Sequence, residues 1–247
     1  MPQLQDLTMT MINKKLLLTV IILTGTLADL TAQENDFQAW GGIGAVVDIT
    51  KKIDIEGSYE LRYQNNAQEF DVSYFSASTG YKISKHLSAG ADIRYGTNKV
   101  WDRFRYGLSL GIKKGVKNFQ FSGRLKYEYE HFIQTIPEIG QFPSRNNFRV
   151  RLQAEYKWRK NVKLFISTEP LYRITDHKNF VQRIRNIAGT SWEFYKNHAL
   201  EISWYYQPEY TVAGIHDFTA HILSVAYTWS IPKASKKAKT TDSKVKK

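Results

Sequence analysis

Residues 147–158 read Asn-Phe-Arg-Val-Arg-Leu-Gln-Ala-Glu-Tyr-Lys-Trp. Phe148, Val150, Leu152, Ala154, Tyr156 and Trp158 share one parity, and Arg149, Arg151, Gln153, Glu155 and Lys157 share the other. A period of two puts alternate side chains on opposite faces of an extended strand, so this segment carries one apolar and one charged face. One such strand fits many folds. The weight of the pattern comes from its repetition.

Outward from this stretch, alternating runs occupy 37–47, 52–63, 70–82, 87–95, 102–112, 119–131, 162–174, 179–193, 198–207 and 217–231. Run 52–63 sets Ile53, Ile55, Tyr59, Leu61 and Tyr63 against Asp54, Glu56, Ser58, Glu60 and Arg62. Run 119–131 sets Phe119, Phe121, Leu125, Tyr127 and Tyr129 against Arg124, Lys126, Glu128 and Glu130. Run 70–82 alternates unevenly and yields no assignment of faces. A tight turn is expected at 113–117, centred on Gly115, and long connections at 132–146 and 209–216. No helical periodicity follows residue 32. That makes eleven runs. Because bacterial single-chain barrels hold even numbers of strands, ten or twelve are expected.

A soluble sandwich and a membrane barrel both alternate, and they differ in which face meets water. Here the apolar face carries Tyr63, Tyr95, Tyr127, Tyr129, Trp158, Trp192, Trp204 and Trp229 near strand ends. Amphipathic rings bordering an apolar band suit a lipid headgroup region, and hydrocarbon outside demands a closed sheet. The expected fold is therefore all-β: an antiparallel, up-and-down transmembrane β-barrel over residues 33–231, of the outer-membrane type. Its lumen would be lined by Arg62, Arg94, Arg103, Arg105, Arg124, Arg149, Arg151, Arg173, Arg183 and Arg185, with Glu60, Glu128, Glu155 and Glu169 facing them. Such a ladder can brace a narrow barrel or form an anion-selecting constriction. Both readings stay open.

The ends differ from the middle. Residues 1–32 read as a signal peptide, with Met11 a plausible true start, Lys14 and Lys15 as its charged region and an apolar run at 16–23. Cleavage is expected after Ala32. Residues 232–247 hold seven lysines against Asp242 alone, half of the chain's net charge of +12. A solvated basic tail explains this without a nucleic-acid partner. The chain has no cysteine, so disulfides, thiolate metal sites and a lipidated cysteine are excluded.

Trp40 together with the segments at 56–63 (E-G-S-Y-E-L-R-Y), 102–108 (D-R-F-R-Y-G-L), 146–153 (N-N-F-R-V-R-L-Q), 169–173 (E-P-L-Y-R) and 182–189 (Q-R-I-R-N-I-A-G) resembles an uncharacterised bacterial outer-membrane family, domain of unknown function 2490. The resemblance implies an outer-membrane barrel of a Gram-negative cell and brings no catalytic residues. Tyr227-Thr228-Trp229 looks like the aromatic signal read by the barrel-assembly machinery, although a lysine tail follows it.

Other chemistry finds less support. His86-Leu87-Ser88 has a His-x-Ser spacing seen in one outer-membrane lipid deacylase type, with no acidic partner in view. The six histidines show no metal-ligand spacing, and no phosphate loop is present. The expectation is a non-enzymatic, monomeric outer-membrane barrel in contact with lipid and without cofactor. It would be a passive, anion-leaning pore, or alternatively a plugged structural or adhesion barrel, with a lipid hydrolase third.

Overall fold

The computed structural model describes residues 35–134, 143–175 and 179–232. The expected signal peptide lies outside the described residues, as do the tail beyond Pro232 and the middle of the 132–146 connection. The described chain is all strand: β1 (Asn35–Asp48), β2 (Ile53–Gln64), β3 (Glu69–Lys82), β4 (Leu87–Thr97), β5 (Trp101–Val116), β6 (Phe119–Gln134), β7 (Arg145–Arg159), β8 (Val162–Ile174), β9 (Phe180–Tyr195), β10 (His198–Tyr210) and β11 (His216–Ile231). Each pairs with its sequence neighbours, and β1 closes the barrel against β11.

The strand number corrects the expectation of ten or twelve, because eleven strands form the wall. Each hairpin reverses direction, so with an odd number the first and last strands run the same way. Closure must then be parallel, and β1 pairs with β11 from Asn35↔Thr219 to Val47↔Ile231. Parallel ladders are slightly weaker per residue than antiparallel ones but geometrically sound. Evenness is a regularity of known barrels, not a condition of closure.

The connections alternate between two mouths. The β1–β2, β3–β4, β5–β6, β7–β8 and β9–β10 turns form the turn mouth, while the β6–β7 and β10–β11 connections share the opposite, loop mouth. The β5–β6 turn is not centred on Gly115, which sits in the ladder opposite Gln120. It is made by Lys117 and Asn118, with Lys117 at φ 53°. Asn197 takes the same left-handed form at φ 67° between β9 and β10. Asn tolerates that region through its short polar side chain.

The faces are inverted relative to a water-soluble protein. Leu108 and Ile166 are each 64% exposed on the outer wall, whereas Glu128 is 0% and Asn147 1% exposed inside. β3 resisted assignment because its inward positions are apolar: Val72 and Tyr74 are buried, while Phe75 and Tyr81 face out. A small apolar cluster of Trp40, Ala220 and Ile222, with Tyr205 and Phe218 against it, fills the lumen beside the closing seam.

Candidate functional site

The inward charges join into a girdle that runs around most of the wall. Glu128 on β6 lies 3.5 Å from Arg105, 2.9 Å from Lys126 and 3.2 Å from Arg149. Arg149 reaches on to Glu169 at 3.5 Å, and Glu169 also takes Arg124 at 3.0 Å and Arg185 at 3.7 Å. From Arg185 the connection passes through an aromatic ring: Arg185 and Arg62 both stack on Trp40, at 5.4 and 3.6 Å from the ring centroid. Arg62 then pairs with Glu60 at 2.6 Å, and Glu60 lies 3.7 Å from Arg94. Between Arg94 and Arg105 the girdle is interrupted, since these two arginines are direct cross-strand partners.

The register shows how this arrangement arises. Several directly opposed inward pairs are like-charged: Arg94↔Arg105, Lys126↔Arg149 and Arg124↔Arg151. Like charges directly opposite destabilise a sheet. Carboxylates from other rungs offset most of these charges, above all Glu128, which takes three cations at once, while Arg151 makes no ion pair among the described residues. Glycine provides the room. A Cβ on Gly107 would stand 2.5 Å from Asp92 Oδ1 and 2.6 Å from Lys126 Cε, so the Lys126–Asp92 pair at 2.8 Å needs that bare backbone.

All fourteen predicted lining residues lie on inward-facing positions, but the structure brings only some of them together. Glu60, Arg62, Arg94, Arg105, Arg124, Glu128, Arg149, Glu169 and Arg185 form the girdle. Among the described residues Arg151 donates only to Ser167 Oγ, at 3.4 Å, and Glu155 pairs with Lys163 at 3.2 Å near the turn mouth. Toward the loop mouth, Arg183 meets Glu209 at 3.3 Å and Arg173 donates to Asn147 Oδ1 at 3.4 Å. Arg103 donates to the Tyr74 hydroxyl and lies over the Trp101 and Phe132 rings. Trp40, Tyr74 and Tyr205 were missed as lumen residues, because an aromatic at an inward position reads like any other apolar residue until its strand's faces are known.

His86 and Ser88 do not hydrogen-bond each other: His86 Nδ1 donates to the Lys113 carbonyl at 3.0 Å, and Ser88 Oγ donates to the Gly111 carbonyl at 3.4 Å.

A closed wall with apolar groups outside and ion pairs within defines a β-barrel of inverted polarity. Residues 37–218 match the family described as a protein of unknown function, DUF2490, and the chain belongs to that family. No curated protein matches the chain.

Proposed function

We propose that this chain is an outer-membrane β-barrel whose lumen is closed across its girdle, a plugged barrel and not an open pore. The observation that carries this reading is Glu128, fully buried at the meeting point of Arg105, Lys126 and Arg149. A water-filled passage would hydrate these groups, yet Arg105, Arg149 and Glu169 are buried as well. Side chains alone can fill a barrel of this size. The apolar outer band, rich in tyrosine and tryptophan, supports placement in lipid, with export through an N-terminal signal, insertion by the barrel-assembly machinery and a monomeric, non-enzymatic state. The host would be a Gram-negative cell.

Two measurements test this. Membrane fractionation should place the protein in the outer membrane, with a heat-modifiable gel shift. Purified protein in planar bilayers should be silent. Discrete anion-leaning conductance in the wild type would instead establish the pore. That second reading draws on Arg103, Arg145 and Arg173, which face the loop mouth without a carboxylate salt bridge among the described residues.

A further inference from the structure

The lumen is not filled evenly. On the turn-mouth side of the girdle a cavity of about 300 Å³ lies within β2–β6, and a second of about 230 Å³ adjoins it. Ser88, Gly111, Lys113 and Arg124 line both. Sequence makes this room: the inward positions of β3, β4 and β5 here are Ser78, Gly80, Ser88, Gly90, Ser109 and Gly111. Nearer the loop mouth the same strands carry Tyr74, Arg94 and Arg105.

The charge of this space is also uneven. Its acids are Asp54 and Asp92. Asp92 is taken by Lys126 at 2.8 Å, and Asp54 lies 3.9 Å from Lys82. Three further cations line it. Lys113 makes no ion pair among the described residues, and Arg151 bonds only the Ser167 hydroxyl. Arg124 spends one nitrogen on Glu169 while its side chain stays 40% exposed. All three line the smaller cavity, with the Ser88 and Ser122 hydroxyls beside them.

We propose that Lys113, Arg124 and Arg151 form a binding site for the oxyanion group, phosphate or carboxylate, of a small solute entering from the turn mouth. Guanidinium forks bind such groups through paired, charge-assisted hydrogen bonds, and the serines would take neutral oxygens of the same solute. Two adjoining cavities of about 300 and 230 Å³ stand at or below the small end of ligand sites, which excludes a polymer or a folded partner. The site rests on the closed-lumen reading only for its sidedness: placed in an outer membrane, the turn mouth faces the periplasm. Binding itself requires only the folded barrel, so its failure and a failure of the membrane reading are separate results.

The test is calorimetric titration of the full chain, refolded in detergent, with inorganic phosphate and, in a parallel arm, acetate. Saturable binding of one or both is expected, and the stronger arm identifies the group. Lys113→Gln and Arg124→Gln should each weaken it at least tenfold. Ser88→Phe should abolish it by filling the cavity, while Arg103→Gln at the other mouth leaves it unchanged. Retention of the heat-modifiable shift certifies each variant's fold, and Lys113→Gln, at an exposed strand end, keeps the test alive if Arg124→Gln does not fold. Absence of saturable binding by the wild type, or undiminished binding by Ser88→Phe, overturns the proposal.

Discussion

The two halves of the lumen are built on one alternation and come out opposite. Toward the loop mouth, inward positions carry Trp40, Tyr74, Leu171 and Ile222 among arginines, and all four are buried. Toward the turn mouth β3, β4 and β5 carry glycine and serine around open space, while Phe165 on β8 is buried across from them. Period-two patterning decides which face is inside, whereas the size of the inward side chains decides whether the inside is full. A barrel wall is therefore compatible with a plug at one end and a chamber at the other.

If the halves differ as described, substitutions in them should separate. The largest effect is expected at the border: Glu128→Gln removes the carboxylate that Arg105, Lys126 and Arg149 share, leaving them Glu130, Asp92 and Glu169. Breaking a buried charge network in this way costs about 3–5 kcal/mol. Urea unfolding of the refolded protein should show it, and a wild-type midpoint would mean the girdle is hydrated after all. Next comes Trp40→Ala, which removes the ring between Arg62 and Arg185 and opens the filled half, at roughly 3 kcal/mol. The same titration reads it.

A matched pair then tests packing alone. Gly96→Ala drives its new methyl into the Tyr74 ring, which is also packed by Arg62, Arg94 and Arg103. Overpacking of this kind costs about 1–3 kcal/mol. Gly111→Ala meets the Ser88 hydroxyl at 2.9 Å, a small group beside a cavity that can turn aside, and otherwise only the Gly123 carbonyl at an ordinary 3.8 Å. It should cost less than about 1 kcal/mol, near the range of neutral substitutions. Equal losses at the two sites would erase the distinction between the halves. A further small effect, of opposite sign, lies at the loop-mouth rim, where Asn65, Asn66 and Ala67 are all left-handed at φ 54°, 56° and 60°. Ala67→Gly should stabilise by about 1 kcal/mol, since alanine bears a steric cost there that glycine does not.

Much of the wall was legible in the sequence. The run at 147–158 lies within β7, and the other ten runs match the other ten strands closely. Alternation is a local signal of a two-sided environment, and every strand carries it by itself. What escaped reading was non-local. Whether β1 meets β11 or some further strand depends on closure, and the rule of even numbers displaced a correct count of runs. The direct rungs Lys126↔Arg149 and Arg124↔Arg151 could not be foreseen without the register, so opposite charges were expected where like charges face each other. Gly96 and Gly107 look like breaks in a strand, yet their purpose is to admit the Tyr74 ring and the Lys126–Asp92 pair from neighbouring strands.

The parallel seam between β1 and β11 has a consequence for the geography of the chain. β1 starts at the loop mouth and β11 ends at the turn mouth, so the polypeptide enters the wall on one side and leaves it on the other. In an even-stranded barrel both ends share a compartment. Here Asn35 and Ile231 stand at opposite mouths, and epitopes inserted beside them would be reached by antibody from different faces of whatever layer the barrel spans.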